Sequence, residues 1–424
     1  MGSSLWFKFV HCADLHLDSP FEGLNALEPE IARVLRRATF QAFENVIDLA
    51  IREQADFLIV AGDIYDSANR SLYAQIRFRE ALRRTAEAGL QCFLAHGNHD
   101  PLSGWDAQLS LPGAVYRFGG KEVECYAARR GPEVLAHLYG ISYPVREVKE
   151  NLIPRFPEKG DSPFAIGVLH SNVGGDPHHD NYAPCSLGDL QSRRLNYWAL
   201  GHIHQARILR ETDPCVVYPG TPQGRSAREP EARGCFLVRV DQAGGVHPEF
   251  IATDVVRWYG EEVDIGDLPT LDALLDELLR RKEDIRRKAA GRGAIWRLSL
   301  RGRGGLHARL RKLDLERELA QPLREEELGR PEFVWLESVR LGTRPPVDLA
   351  QRRRVQDFVG DVLRAAEAIR NAENCRDLLE EVISRRPEYR LLAAGLETLT
   401  REDWLGILDE AETRVLDLLL GEEG

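Results

Sequence analysis

Five short segments of this 424-residue chain carry side chains able to hold divalent cations. They are Asp14-x-His16, Gly62-Asp63-x-x-Asp66, Gly97-Asn98-His99-Asp100, His170 and Gly201-His202-x-His204. Together they supply carboxylate and amide oxygens and neutral imidazoles, with no thiolate. That donor mix suits Mn2+, Fe or Zn2+ better than Ca2+, and the lack of Cys disfavours a structural zinc site. His202 and His204 are two residues apart, which puts both imidazoles on one side of an extended segment, a metal-ligand spacing. Each segment alone has an ordinary reading. Asp14-x-His16 can be a strand-end turn, Asp66 the N-cap of a following helix, and His170 a satisfied core histidine. As a set, in a fixed order and each after an apolar run, they point to a metal centre.

Those apolar runs are the elements that must position the ligands. Trp6–Cys12, Phe57–Ala61, Leu90–Ala95, Phe164–Leu169 and Tyr197–Leu200 read as buried strands, and each ends just before a candidate ligand. Ligands gather at strand ends because the loops there converge on one crevice. Further strands are expected at Val134–Ile141, Val216–Tyr218 and Cys235–Val240. Helices are expected over 28–54, with Ile31, Val34, Leu35, Ala38, Ala42 and Val46 on one face, and over 69–87. The strands after about Leu195 follow one another without intervening helices, which predicts antiparallel pairing. The expected class is α/β (α+β), with two mixed sheets packed face to face and helices outside.

Near Asp254 the pattern changes. A helix over 270–288, a strand over 295–301, a helix over 306–319 and a strand over 333–341 form a small α+β module, closed by Arg344-Pro345-Pro346. Beyond it lie two helical stripes, Val355, Phe358, Val359, Val362, Ala366 and Ile369, then Trp404, Ile407, Leu408, Ala411, Val415 and Leu418. Thr400 and Asp403 form a capping box before the second. The expected domains are therefore 1–254, 255–345 and 346–424.

Composition narrows the class. No apolar run is long enough to span a membrane or to form a signal peptide, so a cytoplasmic protein is expected. The seven cysteines form no C-x-x-C pair, which argues against a disulfide framework or zinc knuckle. The net charge of −11 speaks against nucleic acid, but it hides a dipole: Arg280–Lys312 holds 13 Lys or Arg against 2 acidic residues, and Glu397–Gly424 holds 9 acidic residues against 2 Arg. No G-x-x-x-x-G-K-[ST] occurs, so ATP hydrolysis is not expected.

The segments Phe9-Val10-His11-Cys12-Ala13-Asp14-Leu15-His16-Leu17-Asp18-Ser19-Pro20, Tyr197-Trp198-Ala199-Leu200-Gly201-His202-Ile203-His204 and Tyr218-Pro219-Gly220-Thr221-Pro222-Gln223-Gly224-Arg225, the last running on to Glu229 and Gly234-Cys235, carry a resemblance. The chain resembles the calcineurin-like metallophosphoesterase superfamily, and within it the SbcD-like DNA-repair exonucleases of the YhaO-type branch. The resemblance covers residues 5 to 255 well and extends loosely to about 345. It implies a four-layer sandwich of two mixed sheets flanked by helices, a capping α+β domain and two divalent metals, expected to be Mn2+ with Fe or Zn2+ as alternatives. Asp14, His16 and His204 would hold one metal and Asn98, His170 and His202 the other. Asp63 would bridge them, as two cations about 3.5–4 Å apart require a shared anionic ligand. His99 resembles the catalytic histidine that meets the departing sugar oxygen, with Asp100 orienting it.

The implied function is a metal-dependent DNA nuclease acting in repair with an SMC-like coiled-coil ATPase, and a homodimer through the helices at 28 and 69. In this reading Arg286, Arg287 and Arg301 of the basic module contact phosphates without reading sequence. Arg225 and Arg228 are candidates for a phosphate contact nearer the metals, against a surface salt bridge. His96, His178 and His179 read as surface, neighbouring or loop residues. Two other readings stand beside it: a phosphatase or cyclic-nucleotide phosphodiesterase of the same superfamily, and a non-catalytic adaptor that recruits an ATPase to DNA through residues 346–424.

Overall fold

The computed structural model describes residues 5–21, 28–66, 71–104, 109–176, 179–372, 374–386, 396 and 399–420. His178, and Asn69 at the expected start of the second helix, lie outside the described residues. The chain divides into two compact units. One comprises Met1–Gly260, Arg281–Arg297 and Ala320–Ser338; the other comprises Glu261–Arg280, Leu298–Leu319 and Val339–Gly424.

The first unit is built on two six-stranded mixed sheets. One contains β1 (Leu5–Cys12), β2 (Phe57–Ala61), β3 (Gln91–Ala95), β4 (Val115–Arg117), β11 (Gly234–Asp241) and β12 (Val246–Ala252), in the order β12-β11-β1-β2-β3-β4. The other contains β5 (Glu124–Arg130), β6 (Glu133–Gly140), β7 (Ala165–His170), β8 (Tyr197–Gly201), β9 (Arg207–Arg210) and β10 (Cys215–Tyr218), in the order β5-β6-β7-β8-β10-β9. β1, β2, β3 and β4 run parallel, as do β6, β7, β8 and β10. Parallel strands buried on both faces read as continuous apolar runs, which is why β2 and β8 are wholly buried.

The expectation of antiparallel pairing after Leu195 holds for β9 with β10 and for β11 with β12, but not for β8 with β10, which are parallel. β9 forms the sheet edge and returns the chain so that β10 enters beside β8 in the same direction. A short edge strand with exposed Arg207 and Ile208 has no apolar periodicity to announce it.

Between the sheets lies a core of Phe7, Phe9, Phe57, Ile59 and Phe93 against Ile166, Val168, Tyr197, Ala199 and Val217. Phe9 stacks on Phe57 at 4.9 Å and meets Tyr197 edge-on at 5.2 Å. Each such side chain contributes about 1.5–3 kcal/mol by burial. Outside the first sheet lie α1 (Pro29–Arg52) and α2 (Leu72–Glu87), which bury Phe43, Val46, Ile47, Phe78 and Leu82. Pro29 at the first helical position opens α1. The Ser71 hydroxyl accepts the Ala74 N–H at 3.0 Å to cap α2, so Asp66 is not its N-cap. The second sheet is covered by α3 (Leu187–Ser192) and by Tyr143, Leu152, Phe156 and Leu195.

A third sheet has the order β13 (Val256–Asp264), β14 (Gly293–Arg301), β15 (Val334–Leu341). α4 (Leu271–Ala289) matches the expected helix. The helix expected over 306–319 is broken: α5 covers only His307–Leu310, and a π-helical turn follows at Glu316–Ala320. The Asp314 carboxylate accepts the Arg317 N–H at 3.2 Å, restarting the chain there. α6 (Gln321–Glu325) follows. In the second unit α7 (Leu349–Arg354) and α8 (Phe358–Asn371) precede α9 (Cys375–Ser384) and α10 (Arg401–Leu420). The capping box forms as expected, with the Asp403 N–H donating to Thr400 Oγ1 at 3.2 Å and the Thr400 N–H to the Asp403 carboxylate at 2.7 Å. The buried stripe is Val359, Leu363, Ala366, Trp404, Leu408 and Leu416, rotated from the expected one: Phe358 and Leu418 are 68% and 77% exposed.

All described cysteines are free, and only Cys125 is exposed. Among the described residues no helix is long and apolar enough to cross a membrane.

Candidate metal centre

The candidate ligands sit where strands end. Asp14 and His16 follow β1, Asp63 follows β2, Asn98 follows β3, His170 closes β7, and His202 and His204 follow β8. The first three strands belong to one sheet and the last two to the other, so both sheets deliver their carboxyl ends to one crevice.

Asp14 (φ 52°), His16 (φ 43°), Asp63 (φ 49°) and His202 (φ 101°) all hold left-handed backbone. Non-glycine residues rarely adopt it, and such strain, on the order of 1–3 kcal/mol each, persists where surrounding structure over-determines it. Here the Asp14 N–H donates to Gly62 O and the His16 N–H to Asp63 O, both at 3.0 Å. The His202 N–H donates to the Asp14 carboxylate at 3.0 and 3.1 Å, and the His99 N–H to Asp63 Oδ1 at 2.9 Å. Close packing also explains two glycines: a Cβ on Gly201 would lie 1.8 Å from Ala61 O, and one on Gly97 would lie 2.3 Å from Asp63 Oδ1.

Hydrogen bonds to the outer ring nitrogens aim the imidazoles. His170 Nδ1 meets Ala61 O at 3.1 Å, so Nε2 faces Asn98 Oδ1 at 2.9 Å and Asp63 Oδ2 at 3.3 Å. His204 Nδ1 lies 2.6 Å from Glu229 Oε1, and its Nε2 lies 3.3 Å from His16 Nε2. Two imidazole lone pairs facing each other at that distance need a proton or a cation between them. Ligand atoms of Asp14, His16 and His204 lie within 4.8 Å of one another, as do those of Asp14, Asp63 and His170. The donor set and its convergence fit divalent cations. His202 Nε2 bonds Asp180 O at 2.7 Å, so Nδ1 is its remaining ligand atom.

The electrostatics agree. Burial pushes the Asp14 carboxyl up to about 6 against the pull of His170 and His204. Burial also holds His16 well below the usual histidine range and His202 at about 3, which keeps both rings neutral. Burial opposes charge on the Asp63–His170 pair, yet their mutual attraction prevails: Asp63 stays well below the carboxylate range and His170 rises to about 9. Asp63 thus stays an anion although it is buried at the point where the ligands converge.

The expected pairing of Asp100 with His99 is not what the structure shows. Asp100 accepts the Ile64 N–H at 2.9 Å and the Gly97 N–H at 2.8 Å, and pairs with His96 Nδ1 at 3.1 Å. These bonds consume the carboxylate in holding the 97–100 turn. The carboxylate facing His99 Nδ1 is Asp66, at 3.4 Å, and His16, Asp66 and His99 form a third group of potential ligands. Burial lowers the His99 imidazole, but Asp66 and Asp63 raise it further, and the net shift is upward.

Three contributors escape sequence reasoning: Asp66 in this role, Glu229, and His179, whose ring lies 5.5 Å from that of His202 and 5.3 Å from that of His204. A cavity of about 1290 Å³ opens beside His179 and Glu229, lined also by His204, Arg207, Arg225 and Arg228 among others. Arg225 is thus at the centre's rim, and its charge helps hold His16 low, after burial. Arg207 is paired with Asp176 at 2.8 Å.

The basic module differs from expectation. Arg286 is largely buried and grips both Glu327 oxygens at 2.8 and 3.0 Å, so it is a structural residue rather than a free phosphate contact. Arg287 is exposed but paired with Asp284 at 2.6 Å. Arg301, also exposed, is paired with Glu262 at 2.6 Å. Acidic residues three positions earlier pair with Arg280, Arg286 and Arg287, a spacing that a net count over 280–312 does not weigh.

Residues 7–206 match the calcineurin-like phosphoesterase family, and residues 258–344 match the middle domain of metallophosphoesterase YhaO. The metallophosphoesterase YhaO of Bacillus subtilis is 37% identical over 331 residues, 77% of this chain and 79% of its own length. The DNA double-strand break repair protein Mre11 of Aeropyrum pernix is 30% identical over 291 residues, 65% of this chain and 68% of its own. With ligands converging from the carboxyl ends of two mixed sheets, and relatives of this similarity over most of their length, the chain belongs to the calcineurin-like metallophosphoesterases and carries the YhaO middle domain.

Proposed function

We propose that this metallophosphoesterase is a DNA nuclease that hydrolyses phosphodiester bonds in repair, together with an SMC-like ATPase. The observation that carries the reading is the juxtaposition of the ligand cluster with the large cavity at His204, whose rim bears Arg225 and Arg228. That space exceeds what a phosphate monoester needs, and cationic side chains beside a hydrolytic centre suit a polyanionic strand. The similarity to Mre11 relatives supports the same substrate class.

In this reading Asp14, His16 and His204 hold one cation, Asn98, His170 and His202 the other, and Asp63 both. Such a pair, when bound, supplies Lewis acidity toward the phosphoryl oxygens and activates water, and Mn2+ suits the donors. His99 meets the departing sugar oxygen, and the Asp66 carboxylate beside its Nδ1 supports the proton-donating form. Asp66 holds that imidazole. The 97–100 turn, tied by Asp100, fixes both Asn98 and His99. Exposed Val34, Leu72, Tyr73 and Ile76 on α1 and α2 support a homodimer through these helices, and exposed Phe358, Val382 and Leu418 support partner docking through the C-terminal helices.

One observation favours the second reading, a phosphatase or cyclic-nucleotide phosphodiesterase: Arg286, Arg287 and Arg301 are engaged by acidic residues. Linear DNA, a bis-nitrophenyl phosphodiester and a nitrophenyl monoester compared in Mn2+ separate the two. Degradation of DNA with little monoester turnover is expected; turnover of the monoester with DNA left intact would reverse the ranking.

A further inference from the structure

Glu229 lies outside the ligand set, 25 residues beyond His204, yet it is buried beside it. One carboxylate oxygen, Oε1, sits 2.6 Å from His204 Nδ1. The other, Oε2, accepts the Arg225 N–H at 2.7 Å. The segment between is folded back tightly: the Glu229 N–H donates to Ser226 O at 3.0 Å, and a Cβ on Gly224 would come within 2.7 Å of Glu229 O. His204 is gripped from its backbone too. The Thr221 N–H donates to His204 O at 3.2 Å, and the Arg233 guanidinium donates to the same oxygen. Residues 221–233 thus form a collar around one ligand, with Glu229 as its only side-chain carboxylate on the ring among the described residues.

The chemistry follows from the two hydrogen bonds. A carboxylate accepting at Nδ1 fixes the tautomer in which Nε2 is free, aims that nitrogen, and makes it a better donor. The same carboxylate sets the turn that carries Arg225 at the cavity rim.

We propose that Glu229 is a positioning residue that orients His204 for the cation held with Asp14 and His16, and in the same act sets the Arg225 turn at the substrate cavity. This rests on the ligand partition proposed above. Glu229 selectively strengthens one of two metal sites and leaves the Asn98–His170–His202 site unaffected. A Gln cannot replace it fully, since both oxygens receive hydrogen bonds from donors and an amide offers one oxygen only.

The test is Mn2+ titration of full-length wild type, Glu229→Ala and Glu229→Gln by calorimetry, with electron paramagnetic resonance to separate a coupled pair from single ions. Thermal unfolding of the metal-free proteins checks that each variant folds, and the isosteric Glu229→Gln serves if the alanine variant does not. Wild type should bind two ions. Glu229→Ala should lose roughly 10–100-fold in affinity at one site only, with Glu229→Gln between, and should show a single-ion spectrum at Mn2+ concentrations that give wild type its coupled pair. Raised Mn2+ should restore the coupled spectrum and turnover. Wild type binding two ions, with Glu229→Ala and Glu229→Gln matching it at both sites, would overturn this assignment alone. Wild type binding fewer than two would overturn the ligand partition, and this assignment with it.

Discussion

His99 Nδ1 lies 3.4 Å from Asp66 Oδ1, while Asp100, next to His99 in the chain, turns its carboxylate toward His96 and the backbone amides of Ile64 and Gly97. Two carboxylates near one histidine therefore have separate tasks. Asp66→Asn should lower kcat on DNA by about 10-fold or more, within the range lost when a general acid is poorly supported, with Mn2+ content unchanged. Asp100→Asn should instead lower thermal stability and metal retention, because the 97–100 turn loosens. Steady-state kinetics beside metal analysis separates them, and equal phenotypes would refute the division.

Removal of the imidazole itself should be selective by leaving group. His99→Ala is expected to keep both metals and lose about 10²–10⁴-fold in kcat on DNA, whose sugar oxygen needs a proton. A nitrophenyl diester, whose leaving group departs as a stable anion, should suffer much less. An equal loss on both substrates would place His99 in binding rather than proton transfer.

Close packing yields a test that needs no ionisable group. A Cβ at Gly97 would overlap Asp63 Oδ1 at 2.3 Å and His170 at 2.8 Å. Gly97→Ala should therefore displace Asp63 and abolish activity and paired metal binding, whereas Gly113→Ala, with open space around it and no positive φ, should leave activity intact. Retention of two tightly bound ions by Gly97→Ala would contradict the packing argument.

A buried charge cluster outside the metal centre sets a pH dependence of stability. Glu327, 1% exposed, accepts from Arg286, from the Val334 N–H at 2.8 Å and from Lys282 at 3.1 Å. Burial opposes its charge, but these partners depress its pKa. A depressed carboxylate contributes stability that is present above its unfolded value, about 4.3, and lost as pH falls through the folded value. Glu327→Gln should cost about 2 kcal/mol near neutrality, since the buried carboxylate's charged hydrogen bonds are lost while Lys282 keeps Glu326 and Arg286 keeps Glu283. The gap from wild type should narrow below about pH 4 in acid unfolding followed by circular dichroism. A constant gap down to the acid midpoint would count against the linkage.

Salt dependence distinguishes the arginines. Arg225→Ala and Arg228→Ala should each reduce the slope of log affinity for DNA against log salt by about 1, as expected for one lost phosphate contact. Arg287→Ala should change it less, because Asp284 already occupies its guanidinium. Arg286→Ala should lower the melting temperature rather than the slope. A full unit lost with Arg287→Ala would restore the basic module as the main DNA surface.

The amino-acid sequence alone determined the strands that end in ligands, because a strand buried on both faces must be apolar throughout and a metal ligand cannot be. Phe57–Ala61 before Asp63 and Tyr197–Gly201 before His202 are legible for that reason. α1 and α4 were legible from their apolar period, and the Thr400–Asp403 cap from side-chain chemistry that acts over three residues. Only tertiary structure decided which carboxylate serves which imidazole. Asp66 reaches His99 and Glu229 reaches His204 across 33 and 25 residues, and Asp100, one residue from His99, does not reach it. The direction of β10 beside β8, and the burial of Arg286 against Glu327, were likewise settled by packing. Local sequence encodes period and capping because these act over one turn or one pleat. Side-chain pairing across a crevice depends on where separate loops end in space, and spacing along the chain carries no record of that.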